Sequence, residues 1–578
     1  MSQAPVSSPA APGARNNVSA RTLGEIAFLL VFPALAYLCL NFEPLMQTRS
    51  LDPFFYTGYI NNFSDLVQRY GMNYYNVRFG LILPARILTA MFGPESAFFI
   101  FRYLLALTFG IPLYAAARRF LSPPVAILAY AALMTSPFVA RILLWDHPDA
   151  AGAPYLTAAI CIFLLEQRPS RFWDFGAGCL AALAAHSNIF TVPIFVIFVG
   201  VYSAVWLAHG KTYAALVHRI LLLVAAGALV TAGGIVYYWI ATGHPNIFYP
   251  TLVNVLSLSR GGMERWRTPG FRWMLSSGHV FLPVWLSLCC LAVFARRRLS
   301  FFGGAVALFG VAATAFLYAH QFLLRGDTLQ LPYYFSYLAP AIFLMLAFLL
   351  HSLQKLAQLP SAVFVGATLA ALALPWILLS YGVRVSRESA LTLFAALAAA
   401  LLVLLILFTK ARGRYGVVIS LAGAVLLGIG FDAGFATYDF IIKSRLAPRG
   451  ADIDVYRVAL QLIHAVPKYQ DHRGKILFWY NGRNDESLNS IKATYLWDLS
   501  NVSGDAIPAA PELNAEDLRR VNDPAVRYVA LLGSSADEIS REAAALRERN
   551  VRFRETDRRT LTSGEYRVYW DLLELQPQ

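Results

Sequence analysis

Between residues 24 and 436 the chain is a succession of apolar runs separated by short polar gaps, and few architectures accommodate such a pattern. The runs lie near 24–42, 96–117, 123–140, 150–166, 173–186, 188–207, 220–241, 279–295, 301–322, 336–353, 361–381, 389–409 and 416–436. Crossing a hydrocarbon layer about 30 Å thick takes roughly 20 helical residues, and helices satisfy their own backbone polar groups in lipid. The spacing therefore predicts thirteen transmembrane helices. Only 14% of residues are charged, against roughly 25% in soluble domains, which excludes a single soluble domain. The net +14 arises wholly in residues 1–439, with 28 Lys and Arg against 14 Asp and Glu; residues 440–578 carry 20 of each. The cations fall mainly between apolar runs, so the basic balance points to a membrane and not to nucleic acid.

Residues 1–22, rich in Ala, Pro and Ser, read as a disordered leader, and the run at 24–42 reads as an uncleaved anchor. A cleaved signal peptide is the alternative, because Ala34-Leu35-Ala36 has the small-x-small form of a cleavage site. The run at 79–92, broken by Pro84 and Arg86, is too short for a span and is assigned to the interface. With a cytoplasmic N-terminus, the turns bearing Arg118/Arg119, Arg168/Arg171, Lys211/Arg219, Arg296 to Arg298, Lys355 and Lys410/Arg412/Arg414 are all cytoplasmic. That density in short loops is what the positive-inside rule counts, although Arg78, Arg86 and others lie on the far side. An odd number of spans puts residues 440–578 in the periplasm of a bacterial cell. There an amphipathic stretch at 456–466, short apolar runs at 476–480 and 528–532, and a charged helix at 536–549 predict a small α/β domain. It has no nucleotide-binding glycine loop and is assigned a supporting or acceptor-binding role. The expected organisation is thus a leader (1–22), an all-α polytopic membrane domain (23–439) and a periplasmic α/β domain (440–578). All five cysteines sit inside apolar runs, which leaves no disulfide framework or CxxC site.

Ionisable groups where lipid meets water are functional suspects. Asp52, directly after the first span, precedes Pro53, a pairing that suits a helix start. Asp52, Tyr56 and Tyr59 would then share one helical face. A second outer loop holds Trp145, Asp146, His147 and Asp149. Two carboxylates and an imidazole there could ligate a divalent cation, act as general base, or only solvate a turn. No neighbouring DxD or HxxxH accompanies them, which favours acid/base or hydroxyl-binding roles over metal. His186 and Asn188 lie at a break between two runs, either as caps or as site residues. Arg260, Arg265 and Arg267 stand among aromatics in the 242–278 loop, suited either to clamping a phosphate or to anchoring on anionic lipid. Arg325 and Tyr334 belong to a later loop whose tyrosines could equally form an aromatic belt.

Taken together these features resemble the GT-C superfamily of polytopic glycosyltransferases. The nearest branch is the bacterial one, with protein mannosyltransferases, aminoarabinose transferases of lipid A and rhizobial core-sugar transferases. The resemblance covers residues 24–436. It rests on Asp52 after the first span, the interfacial segments that follow, the Arg118-Arg119 turn, the Trp145-Asp146-His147-Pro148-Asp149 loop and the paired runs around His186. The chain departs from the family pattern at Pro53, where many members have a second acid, and at His186-Ser187-Asn188 in place of Thr-Lys-Gly.

The resemblance implies transfer of a sugar from a polyprenyl-phosphate-linked donor to a glycan or lipid acceptor at the periplasmic face of the inner membrane. Asp52 would serve as base in an inverting displacement, and Asp146 or Asp149 would position the acceptor or share that role. Outer-loop arginines would stabilise the departing phosphate. Tyr56, Tyr59, Trp145, His147, His186, Asn188, Arg260, Arg265, Arg267, Arg325 and Tyr334 are the expected substrate contacts. No cofactor is implied with certainty, and a divalent cation stays an open alternative. Two other readings compete: an O-antigen-ligase-like or polymerase-like enzyme using the 242–278 arginines, for which Asp52 would be dispensable, and a lipid-linked-glycan transporter. The latter should show mid-membrane ionisable groups and related halves, and no internal repeat is present.

Overall fold

The computed structural model describes residues 20–39, 52–136, 148–165, 170–259, 280–294, 300–326, 332–357, 476–480, 526–564 and 566–576, with scattered positions between. Among the described residues of the apolar part there are thirteen helices of eight residues or more. They are α1 (Ala20–Cys39), α2 (Asp52–Tyr70), α3 (Phe79–Phe92), α4 (Pro94–Phe120), α5 (Pro123–Thr135), α6 (Pro148–Leu165) and α7 (Arg171–Ser187). After these come α8 (Thr191–Ala208), α9 (Tyr213–Thr242), α10 (Tyr249–Ser259), α11 (Phe281–Phe294), α12 (Phe301–Phe322) and α13 (Ala339–Ala357). Prolines mark where several begin: Pro94, Pro123 and Pro148 each occupy a first helical position, where the missing N–H costs nothing.

Five of these helices, within α4, α6, α8, α9 and α12, are long and apolar enough to cross a membrane, and α1, α3, α5, α11 and α13 contain shorter apolar helices. Within the expected span at 123–140 the described helix covers 13 residues, and Ser136, which precedes Pro137 in the sequence, is extended. That helix's rise of about 20 Å falls short of a bilayer core, and proline disfavours helix in the residue before it. Helix α3 is likewise too short to cross, at 14 residues. The expected spans at 361–381, 389–409 and 416–436, the 456–466 helix apart from two positions, and the boundary near 440 lie outside the described residues.

The contacts sort the helix ends into two sets. At one end the first residues of α3, α6 and α8 meet the last residues of α7, and α3 also meets α9. At the other end Arg219 of α9 grips Asp174 of α7 through Nε–Oδ1 and Nε–Oδ2 contacts of 2.9 and 3.0 Å and an Nη2–Oδ1 contact of 2.6 Å. Its remaining donors reach the Tyr202 hydroxyl and, at 2.9 Å, the Phe163 carbonyl, so four helices share one fully buried ion pair. Arg219 therefore does not belong to a solvated basic turn, as its position in the sequence had suggested. At the same end Ser122 meets His351 and Gln354.

Helix α1 is fastened sideways. Pro33 lacks the N–H that would bond to the Leu29 carbonyl, and the Tyr130 hydroxyl of α5 donates to that oxygen instead. Tyr103 of α4 donates to the Leu30 carbonyl, and Tyr114 to Glu25 at 2.6 Å. Of the cysteines, Cys161, Cys179, Cys289 and Cys290 are free thiols.

Among the described residues the C-terminal part is an α/β unit with four strands in the order β1 (Ile476–Tyr480), β2 (Tyr528–Gly533), β4 (Tyr566–Leu575), β3 (Phe553–Ser563). β1 and β2 are parallel, and the other pairs antiparallel. Helix α14 (Ala536–Glu548) lays Ile539, Ala543 and Leu546 on Val529, Leu531 and Leu573. Its N-terminus is closed by its own residues: Ser535 accepts from the Glu538 N–H at 3.1 Å, and Glu538 accepts from the Ser534 N–H at 2.8 Å. The β3–β4 hairpin was not legible in the sequence.

Candidate functional site

The sequence-predicted residues that lie among the described ones gather at the first of these two ends. Helix α2 opens with Asp52 and Pro53, the helix start expected of that pair; the Asp52 side chain lies outside the described residues. One turn on, Tyr56 is buried, and its ring packs edge-on against Tyr75 at 5.4 Å. Tyr59 is also buried, and its hydroxyl accepts from Asn73 Nδ2 at 2.6 Å.

The loop between α2 and α3 ends in Arg78, which caps α3 by accepting from the Leu81 and Ile82 N–H groups at 3.0 Å each. Arg78 is only 2% exposed, and its Nε has no hydrogen-bond acceptor among the described residues. Its guanidinium lies over the Tyr74 ring, 4.0 Å from the centroid. Burial opposes its charge, while the phenols of Tyr74, Tyr56, Tyr334 and Tyr337 favour it, and the balance lies above the ordinary guanidinium value. Among the described residues no carboxylate forms an ion pair with it. A charge buried without a counter-ion is costly, so such a position is suited to a ligand that brings the negative charge.

Asp149, in the first turn of α6, is fully buried. Its Oδ1 accepts from Asn188 Nδ2 at 3.1 Å and from the Tyr337 hydroxyl. Asn188 is fixed at its other end as well, because its Oδ1 accepts from the Phe190 N–H at 3.1 Å. Tyr337 reaches Asp149 across Gly152, where a Cβ would sit 3.3 Å from the phenol oxygen. Tyr334, half-buried, stands 5.4 Å from the Phe190 ring. His186 stacks on Phe79 at 4.1 Å, and its Nε2 meets the Thr231 hydroxyl at 2.9 Å. Gly80 lets α3 and α7 touch backbone to backbone, because a Cβ there would run into the Leu183 carbonyl oxygen and Ser187 Oγ.

The structure thus brings together Tyr56, Asp149, Asn188 and Tyr334, with Tyr59 and His186 at the margin. Arg325 is exposed, at a φ of 56°, in the turn after α12. Trp145, Asp146, His147, Arg260, Arg265 and Arg267 lie outside the described residues. Among the described residues no three His, Cys, Asp or Glu side chains converge as metal ligands. Two members were not singled out from the sequence. Arg78 was one outer-side cation among many, and the run Asn73-Tyr74-Tyr75-Asn76 before it was the available signal of a built loop. Tyr337 was signalled by its place one helical turn after Tyr334.

No protein-family model matches the chain, and no curated protein does. Solved structures do. A structure of ArnT from Cupriavidus metallidurans bound to undecaprenyl phosphate aligns with a TM-score of 0.48 at 13% identity, covering 95% of this chain and 98% of that one. The archaeal oligosaccharyltransferase AglB from Archaeoglobus fulgidus, in complex with an inhibitory peptide and a dolichol-phosphate, aligns with a TM-score of 0.44 at 13% identity. That alignment covers 89% of this chain and 70% of AglB.

Proposed function

We propose that the chain is a GT-C-type membrane glycosyltransferase that moves a sugar from a polyprenyl-phosphate-linked donor to a glycan or lipid acceptor. The observation that carries this reading is Arg78, a buried cation among phenols with no carboxylate partner among the described residues. A lipid-linked phosphate supplies the missing charge. The phenols supply neutral donors around it, and the resemblance in the sequence supplies the sugar.

In the proposed reaction Asp52 removes the proton from an acceptor hydroxyl, and that oxygen attacks the anomeric carbon from the face opposite the phosphate. The bond from the anomeric carbon to the phosphate oxygen breaks, its electron pair stays on that oxygen, and the sugar inverts. The polyprenyl phosphate leaves with one more negative charge than it had as diester. Arg78 meets that charge where it grows, the form of electrostatic stabilisation that counts most in a dry site. General-base assistance of this kind contributes about 10²–10⁴-fold. Asp149 is assigned a holding role: its carboxylate is engaged by Tyr337 and Asn188, and it keeps Tyr337 beside Arg78.

This end of the bundle is assigned to the periplasmic side, because Arg118, Arg119 and Lys211 cluster at the other; the C-terminal domain is assigned to the same compartment as the site. The test is the glycan composition of the cell envelope in strains carrying Asp52→Asn or Arg78→Gln at wild-type membrane level, beside a deletion strain. Both variants should reproduce the sugar missing from the deletion. Wild-type glycan in both would overturn the reading and favour the ligase-like or transport alternatives.

A further inference from the structure

The loop that carries Arg78 is tied from two directions. Within residues 71–78 the Asn73 N–H donates to Asn76 Oδ1 at 3.0 Å, and the Asn76 N–H to Asn73 Oδ1 at 3.2 Å. The Tyr75 N–H adds a bond to Asn73 Oδ1 at 3.0 Å, and Asn76 Nδ2 donates to the Gly71 carbonyl at 2.8 Å. These bonds give the loop a shape but not a place. Its place comes from Asn73 Nδ2 on the Tyr59 hydroxyl of α2, and from the Tyr238 hydroxyl of α9 on the Asn76 carbonyl. Asn76, Arg78 and Tyr238 are all buried, so that carbonyl has no water to fall back on.

We propose that Tyr238 is a positioning residue for the anion site: its hydroxyl, delivered by α9, pins the Asn76 carbonyl and so holds Arg78 where a lipid phosphate binds. This rests on the reading of Arg78 as the phosphate contact. The Tyr238 ring already has an apolar role, packed edge-on against Phe63 at 5.3 Å, and phenylalanine would fill the same space. The hydroxyl is what distinguishes the two, and the carbonyl it donates to is two residues from Arg78. Downstream, Arg78 is fixed by its own carbonyl at the start of α3; upstream, the Tyr238 bond is the tie nearest to Arg78, with the Asn73–Tyr59 bond beyond it. A guanidinium that must meet a phosphate within about 0.5 Å depends on such support.

The experiment uses the full-length protein in nanodiscs and two probes, a polyprenyl phosphate and the matching uncharged polyprenol, with affinity read from thermal stabilisation. Wild type should prefer the phosphate, Arg78→Gln should abolish the preference, and Tyr238→Phe should reduce it about tenfold. Tyr130→Phe, which removes a comparable tyrosine-to-carbonyl bond at α1, should leave the preference intact while lowering the melting temperature of the free protein. If Tyr238→Phe keeps the full preference, or loses no more of it than Tyr130→Phe, the positioning role is refuted and the Arg78 reading stands. If wild type does not prefer the phosphate, or Arg78→Gln keeps the preference, the reading of Arg78 falls and this inference with it. Should Tyr238→Phe fail to accumulate, a fluorinated tyrosine at 238, which keeps the ring and alters the strength of the hydroxyl as a donor to the Asn76 carbonyl, reads the same dependence, and an unchanged preference there overturns the proposal.

Discussion

Replacing Asp174 by Asn tests whether the buried ion pair at the end remote from the site holds the helices together. The Arg219 guanidinium and the Asp174 carboxylate are both fully shielded from solvent. Removing one partner of such a pair costs about 3–5 kcal/mol, because the other charge stays buried. The structure argues for the lower part of that range. After the substitution Arg219 keeps the Tyr202 hydroxyl, the Phe163 carbonyl at 2.9 Å and the face of the Phe163 ring at 4.0 Å. What it loses is the carboxylate charge and the Nε–Oδ2 contact, while the amide oxygen can still accept where Oδ1 did. A loss of about 3 kcal/mol shifts the folding equilibrium about a hundredfold. Heat challenge of detergent-solubilised protein, read by fluorescence-detected size exclusion, measures it. The double replacement Asp174→Leu with Arg219→Met removes both charges and should recover most of the loss. Asp174→Asn protein that withstands heat like wild type, or a double variant no better than the single one, would refute the argument.

Gly80→Ala should be severe, because the new methyl meets the Leu183 carbonyl, and backbone cannot rotate away. Overpacking of this kind costs about 1–3 kcal/mol or more; loss of both protein level and transfer, read by immunoblot and envelope glycan, is expected, and wild-type behaviour would show that α3 and α7 can separate. Asn188→Asp puts a second carboxylate against Asp149, where Asn188→Ala only removes a donor at 3.1 Å. Transfer should therefore fall further in the aspartate variant than in the alanine one, and the opposite ranking would mean that Asn188 does not face a charged Asp149.

Much of the bundle was legible because lipid leaves so little choice: a long apolar run with no polar interruption has to be a helix. The helix α14 and strands β1 and β2 were legible from local patterning. The hairpin of β3 and β4 was not, because β3 is an edge strand carrying Arg554, Glu555, Asp557, Arg558 and Arg559, and those charges mask the alternation that marks a half-buried strand. In the site, Asp149 and Asn188 were both singled out, but their union with each other and with Tyr337 was not, since it joins positions up to 188 residues apart. Arg78 was missed for the opposite reason. Sequence counting treats every cation near a span end alike, and only packing separates one that faces water from one sealed among phenols.

Helix α9 bears two polar fixings of very different purpose, Arg219 near its start and Tyr238 near its end. Nineteen residues at 1.5 Å each put them about 28 Å apart along the axis, close to the thickness of the hydrocarbon layer. The helix is therefore a gauge rod. A thinner or thicker bilayer can tilt it, but cannot change the interval between the ion pair and the Arg78 loop, so the depth of the site is measured from the opposite leaflet by a length that the lipid does not set.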